Sequence, residues 1–191
     1  KQLDKYYDTK KNNKRKVNRI INRYKSSVVS KKENKKSIEF KISKLNYKSL
    51  DKPIASSYIY REYQAVDDNF FDTLDVVNTA FILADDSGNL SGTNYLSQVS
   101  THIMPKAKIY GNWVIMSIGP SSSWSSIASS SSKISNFATQ IVTFINDYGF
   151  DGVDIDWETP STAEAQRYTN LMREVYRQVK LNNPNHLVTS A

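Results

Sequence analysis

From about residue 52 to residue 191, short apolar runs alternate with segments of helical periodicity, and this alternation restricts the fold more than any other feature. Strands are expected at the dense apolar runs, 55–63, 75–85, 108–119, 152–157 and 186–191. Helices are expected between the later runs, at 92–104, at 133–149 and from Ser161 onward. Apolar strands that alternate with helices are typical of a parallel sheet covered by helices, so the sequence predicts an α/β fold.

Two of the expected helices have recognisable ends and apolar faces. Gly149 can end the first, which covers 133–149. Its buried face is expected to consist of Ile134, Phe137, Ala138, Ile141, Val142 and Ile145. Ser161 and Glu164 fit an S-x-x-E capping box at the start of the second, and NNPN at 182–185 should end it. The buried stripe of the second is expected to consist of Ala165, Tyr168, Leu171, Met172, Val175 and Val179.

The run GFDGVDIDWETP, residues 149–160, places three carboxylates at alternate positions in an otherwise apolar strand. Because alternate residues of a strand share a face, Asp154, Asp156 and Glu158 should point one way. Three like charges this close cannot all ionise easily, so at least one proton should be retained near neutral pH. A retained proton suits acid catalysis, whereas the same spacing also suits a calcium or magnesium site or a solvent-facing strand edge.

Two architectures contain such a sheet, the doubly wound open sheet and the (β/α)8 TIM barrel. No Gly-x-Gly-x-x-Gly motif follows the first expected strand, so nothing favours a dinucleotide-binding sheet. The acids at the end of the fourth strand favour the barrel, because barrel enzymes place catalytic groups at the C-terminal ends of their strands. The absence of Cys excludes a disulfide or thiolate-bound metal, and no apolar run of about 18 residues is present to span a membrane.

The positive charge of the chain is confined to its first part. Residues 1–50 carry 14 Lys and 3 Arg against 4 acidic residues, whereas the rest of the chain is acidic overall. We therefore expect two regions, a basic Lys/Asn-rich tail or linker at 1–51 and a barrel at 52–191. The tail is expected to be solvated, or to contact an anionic surface or link to another domain, and no nucleic acid is expected as a partner of the barrel.

The stretch DGVDIDWE, residues 151–158, resembles the D-G-x-D-x-D-W-E signature of glycoside hydrolase family 18, the chitinases and their relatives. SIGP at 117–120 is similar to the S-x-G-G motif that the family carries on its third strand, with Pro120 in place of the second Gly. The resemblance covers about 55–191 and implies an incomplete TIM barrel of about five strands. About 250 residues form a usual barrel, so we expect the 191 residues alone to be unstable or weakly active and the parent chain to continue.

The resemblance implies a chemistry for the three acids. Glu158 takes the position of the general acid and base, Asp156 would orient the acetamido group of the substrate, and Asp154 would share a proton with Asp156. The reaction would be the retaining, substrate-assisted hydrolysis of β-1,4-N-acetylglucosamine linkages in chitin or its oligomers. It needs no metal and no cofactor, and a polymer of this kind implies an extracellular protein.

The resemblance also implies residues that support these acids or bind substrate. Ser117, in the same motif as Gly119, is expected to donate a hydrogen bond to the acid cluster. A tyrosine of the first strand has a similar role in the family; Tyr58 and Tyr60 share a face, and Tyr60 is preferred. Trp124, in a Ser-rich loop after the third strand, can stack on a sugar ring or simply pack in the loop. Trp157 points away from the acids and is expected to pack first, with a supporting role at the site.

Two other functions stay open within the same family. The first is a carbohydrate-binding lectin without catalysis, against which the presence of Glu158 argues. The second is an endo-β-N-acetylglucosaminidase that acts on N-glycans, against which Trp157 argues, because such relatives often lack a Trp at this position. Thr159 stands where many chitinases have Tyr, which predicts altered contacts with the substrate.

Overall fold

The computed structural model describes residues 54–119 and 122–191. Five parallel strands and one short antiparallel strand form a single sheet. The strands are β1 Ser56–Tyr60, β2 Val76–Ala84, β3 Leu90–Ser91, β4 Trp113–Ile118, β5 Gly152–Ile155 and β6 Leu187–Ser190. The predicted tail at 1–51 and Pro120 of the SIGP motif lie outside the described residues.

Helices connect the parallel strands. They are α1 Asp68–Thr73, α2 Thr93–Gln98, α3 Met104–Tyr110, α4 Trp124–Ile127, α5 Ser131–Tyr148 and α6 Ala165–Asn182. A π-helical segment, Val99–Ile103, joins α2 to α3, and 3-10 turns lie at Tyr63–Ala65 and Thr162–Glu164. None of the helices in the described ranges is long and apolar enough to cross a membrane.

The parallel strands lie in the order β1-β2-β4-β5-β6, which is their order along the chain. In a doubly wound sheet the order reverses at a switch point, whereas in a TIM barrel each strand pairs with the next. The described residues are therefore a consecutive part of a (β/α) barrel. The prediction of an α/β fold with about five barrel strands is confirmed.

The core lies between the sheet and the long helices α5 and α6. Every residue of β5 is buried, as expected for a parallel strand covered on both faces. The helices bury apolar faces in the same core, formed by Ile134, Phe137, Ala138, Ile141 and Ile145 of α5 and by Leu171, Val175 and Val179 of α6. Full burial of one such side chain contributes roughly 1.5–3 kcal/mol, so these faces stabilise the packing of the helices on the sheet.

The ends of both long helices agree with the predictions. Helix α5 stops at Gly149, which adopts the left-handed conformation with φ 75°. Before α6, the Glu164 carboxylate accepts a hydrogen bond of 3.0 Å from the backbone N–H of Ser161, as a capping box requires. One detail of the predicted stripe is wrong, because Ala165 is exposed at the first turn of α6.

Several predicted boundaries are wrong where a local backbone signal outweighs apolar content. The strand expected at 108–119 begins only at Trp113, because α3 continues to Tyr110 and Gly111 ends it with φ 73°. The first strand stops at Tyr60, because the next two residues take left-handed φ values of 58° and 45° and turn the chain. The strand expected at 152–157 is paired only to Ile155.

Candidate active site

The C-terminal ends of the strands converge on the carboxylate of Asp154, which is only 2% exposed. Its Oδ2 accepts hydrogen bonds from the Tyr58 hydroxyl and the Ser117 hydroxyl, each at 2.8 Å. Its Oδ1 accepts from the Thr189 hydroxyl at 2.6 Å. Strands β1, β4 and β6 thus each supply one hydroxyl donor, and the carboxylate of β5 lies at the centre of a four-strand network.

Strand register explains two of these three contacts. Asp154 pairs with Ser117 on β4 and with Thr189 on β6, so the three side chains project from the same row of the sheet. Tyr58 lies on β1, two strands beyond β4, and its longer side chain reaches the same carboxylate. Burial, followed by the hydrogen bond to Asp154, raises the pKa of the Tyr58 hydroxyl above its ordinary value. Tyr58 therefore stays a neutral donor.

Asp156 lies two residues further along and is 8% exposed. Its Oδ1 is buried and has no hydrogen-bond partner among residues 54–119 and 122–191. Burial raises the pKa of this carboxyl, and the charges of Glu158 and Asp154 and a hydrogen bond with Glu158 raise it further. A hydrogen bond between two carboxyl groups requires one proton on the pair. The proton sharing between Asp154 and Asp156 stays a prediction.

Gly119 lets the end of β5 approach the end of β4. Its φ is 152°, and an added Cβ would lie 2.5 Å from the backbone oxygen of Asp156 and 2.8 Å from its Cβ. Both distances are far shorter than normal contacts, so only Gly fits beside Asp156 here. The glycine of the SIGP motif thus sets the position of the second acid.

Glu158 is exposed at the end of the acid run, beyond the last paired residue of β5. It is the only exposed carboxyl of the three, since Asp154 and Asp156 are buried. All three predicted acids therefore come together, with accessibility increasing toward Glu158. In the part of the chain that the structure describes, no group of three or more His, Asp or Glu side chains is placed to hold a metal ion.

The two tryptophans of the predicted site pack against each other behind the acids. Their rings stack with centroids 5.8 Å apart and planes inclined by 10°. Trp124 is 3% exposed and Trp157 is 5% exposed. The expectation that Trp124 stacks on a sugar is not supported by this geometry, because the ring is enclosed; the alternative of loop packing describes it. Trp157 packs as expected, and also contacts Tyr168 edge-on.

The preferred first-strand tyrosine differs from the one that contacts the acids. Tyr60 is 54% exposed, and its ring lies 5.5 Å from the ring of Phe81 and 4.7 Å from the Arg61 guanidinium carbon. Tyr58, and not Tyr60, donates to Asp154. The sequence could not separate them, because residues two apart share a strand face. The sequence did not predict a role for Thr189. The one feature that could have indicated it is that HLVTSA forms the strand after the acid run, next to Asp154 in the sheet.

The chain has a parallel (β/α) barrel sheet with carboxyl groups at the C-terminal ends of its strands. This arrangement is characteristic of TIM-barrel enzymes. Within that class, the chain belongs to the Glycosyl hydrolases family 18, whose family model matches residues 54–191. The resemblance found in DGVDIDWE and SIGP is thereby confirmed.

Individual relatives point the same way. The chain is 38% identical over 96 residues to chitinase 1 from Aphanocladium album, a match that covers 48% of this chain and 23% of that protein. The chitinase domain of the spore coat protein CotE from Clostridium difficile has 28% identity and a TM-score of 0.58 over 73% of this chain and 41% of that one. A class V chitinase from Nicotiana tobaccum in complex with NAG4 shares the fold, with 16% identity and a TM-score of 0.61 over 73% of this chain and 44% of that one. The chain spans less than half the length of these relatives.

Proposed function

We propose that the protein hydrolyses β-1,4-N-acetylglucosamine linkages in chitin or its oligomers, with retention of anomeric configuration and with Glu158 as general acid and base. The observation that carries the proposal is the pairing of an accessible Glu158 with a buried Asp156 whose Oδ1 lacks a partner among the described residues. A buried acceptor without a donor is costly unless a ligand supplies one. The acetamido N–H of the sugar is such a donor.

In the first step, Glu158 transfers its proton to the glycosidic oxygen as the bond from that oxygen to C1 breaks. The carbonyl oxygen of the 2-acetamido group of the same sugar forms a bond to C1, and an oxazolinium ion results. Asp156 accepts a hydrogen bond from the acetamido N–H and stabilises the positive charge that develops. No carboxylate of the enzyme bonds to the sugar, which is the substrate-assisted exception among retaining glycosidases.

In the second step, water attacks C1 and transfers a proton to Glu158, which now acts as base. The acetamido carbonyl leaves C1, so the two displacements together retain the configuration. Asp154 remains at the base of the run, where its two oxygens accept hydrogen bonds from three hydroxyl groups. Its role is to share a proton with Asp156, so that Asp156 can accept the hydrogen bond from the acetamido group.

The name chitinase that the relatives carry supports the choice of substrate. Because chitin is an extracellular polymer, we further propose that the protein acts outside the cell. Residues 1–51 would then serve as a basic link to another domain or as an arm for an anionic surface.

The test compares the full-length protein with its Glu158→Gln variant on N-acetylglucosamine hexamer, with products read by mass spectrometry and their anomeric configuration by NMR. We expect cleavage to a retained product, and a loss of at least about 10²-fold in the variant, because general acid catalysis contributes about 10²–10⁴-fold. Glu174→Gln is the matched control, since Glu174 lies on α6 and pairs with Arg177 away from the site.

Other outcomes contradict the proposal in different ways. An intact hexamer that still binds would indicate a lectin. Cleavage of an N-glycan but not of the hexamer would indicate an endo-β-N-acetylglucosaminidase. Equal cleavage by the wild type and Glu158→Gln would remove Glu158 from the mechanism.

A further inference from the structure

The segment that carries Glu158 has little regular structure of its own. We call residues 156–164 the acid loop. Strand β5 ends at Ile155, and the next turn begins at Thr162. Residues 157–160 form no backbone–backbone hydrogen bond with another described residue. Pro160 has no N–H to donate. A loop of this kind needs contacts from outside to hold a catalytic carboxyl in one position.

Two adjacent residues of the short helix α4 supply such contacts at both ends of the acid loop. At the upstream end, the Trp124 indole N–H donates to the backbone oxygen of Asp156 at 3.2 Å, and the Trp124 ring stacks on Trp157. At the downstream end, the Ser125 hydroxyl donates to the Glu164 carboxylate. Glu158 lies between these two attachment points.

We propose that Trp124 and Ser125 act as a clamp that positions Glu158 by fixing both ends of the acid loop against α4. The inference rests on the proposed hydrolytic function and deepens it. It makes Trp124, Ser125 and Glu164 positioning residues that act through the loop and do not touch substrate. A displacement of about 1 Å at a catalytic group can lower the rate by about 10²-fold, so a loosened clamp should be visible in kcat.

Glu164 joins the clamp to the start of α6. One of its oxygens accepts from Ser125, and the other accepts from the Ser161 hydroxyl at 2.7 Å and from the Ser161 N–H at 3.0 Å. The hydrogen bonds from Ser125 and Ser161 lower the pKa of Glu164 to about 2. The carboxylate therefore stays a charged acceptor, and one side chain connects α4, the acid loop and α6.

The Trp124 half of the clamp lies in the core, so the test uses the exposed Ser125 half. Ser125→Ala removes the hydrogen bond between α4 and Glu164 and leaves the capping box intact. Ser125→Thr keeps a hydroxyl and should rescue. Ser126→Ala is the matched control on the same helix, because Ser126 contacts the Asp86 carbonyl and the Lys133 amine and not the acid loop.

The measurements are steady-state kinetics on N-acetylglucosamine hexamer and amide hydrogen exchange over 157–163, both in the full-length protein. In Ser125→Ala we expect kcat to fall by roughly tenfold with KM nearly unchanged, and exchange in 157–163 to become faster. Ser125→Thr and Ser126→Ala should match the wild type in both.

The two readouts separate the possible failures. Unchanged exchange in Ser125→Ala would show that no clamp exists, whatever the activity. Faster exchange with wild-type kcat would show that the clamp does not position Glu158. A wild-type protein that fails to cleave the hexamer would overturn the proposed function and this inference with it, whereas a cleaving wild type with unaffected variants overturns the inference alone.

Discussion

Asp154 and Asp156 lie two residues apart on the same face, yet their surroundings differ. Both oxygens of Asp154 accept hydrogen bonds, three in all, whereas Asp156 keeps one buried oxygen without a partner among the described residues. The difference arises because Asp154 lies within the paired part of β5, where Ser117 and Thr189 flank it, while Asp156 lies just past its end. The carboxyl within the strand thus has all its hydrogen bonds from the protein, whereas the carboxyl just past the strand end has an oxygen available to a ligand.

The largest expected effect is a contrast in stability between the same substitution at the two sites. Asp154→Asn should lower the free energy of unfolding by about 2 kcal/mol, because an amide has one acceptor oxygen in place of two and at least one buried hydroxyl loses its partner. Asp156→Asn should change it by less than about 0.5 kcal/mol, or raise it, because a poorly satisfied buried acid beside Glu158 is removed.

Urea unfolding of the full-length protein measures both values, and Asp147→Asn, at an exposed position of α5, serves as the reference for the loss of one acidic side chain. If Asp156→Asn destabilises the protein as much as Asp154→Asn, then the two acids have equivalent surroundings and the comparison fails.

A smaller effect should separate the two tyrosines of β1. Tyr58→Phe removes one of the three donors to Asp154 and should cost about 1 kcal/mol of unfolding free energy. Tyr60→Phe should change stability by less than about 0.5 kcal/mol, because the tyrosine hydroxyl that donates to Asp154 belongs to Tyr58. Exposure does not separate the two residues, since Tyr58 is 43% and Tyr60 54% exposed. The same unfolding measurement decides, and equal losses in both variants would return Tyr60 to the site.

The smallest effect is a trend with pH. The raised pKa of Asp156 means that its contribution to stability is fully present below the pKa of the unfolded chain, near 3.8, and is lost as pH rises through the folded value. The unfolding free energy of the wild type should therefore fall, relative to Asp156→Asn, as pH rises from the unfolded value of 3.8 toward neutrality. A constant difference across that range would contradict the raised pKa.

Much of the fold could be predicted because local interactions decide it. Helix α5 was predicted to within two residues at its start, and its left-handed C-terminal glycine and the capping box before α6 are short-range signals. The strand boundaries were less accurate. Residues 108–110 lie in the run that predicted a strand, but α3 continues through them with Ala107 buried, and Gly111 then ends the helix in the left-handed conformation.

The sequence by itself determined the parallel α/β alternation and the family of the chain, because both depend on short-range patterns of residue type. It also predicted that Asp154, Asp156 and Glu158 come together, although only Asp154 lies within the paired strand. Only the tertiary structure decided that Tyr58 and not Tyr60 reaches Asp154, that Thr189 completes its set of donors, and that Trp124 is enclosed against Trp157. Those contacts join residues 33 to 96 positions apart. They depend on the register and curvature of neighbouring strands, which no local pattern along one strand specifies.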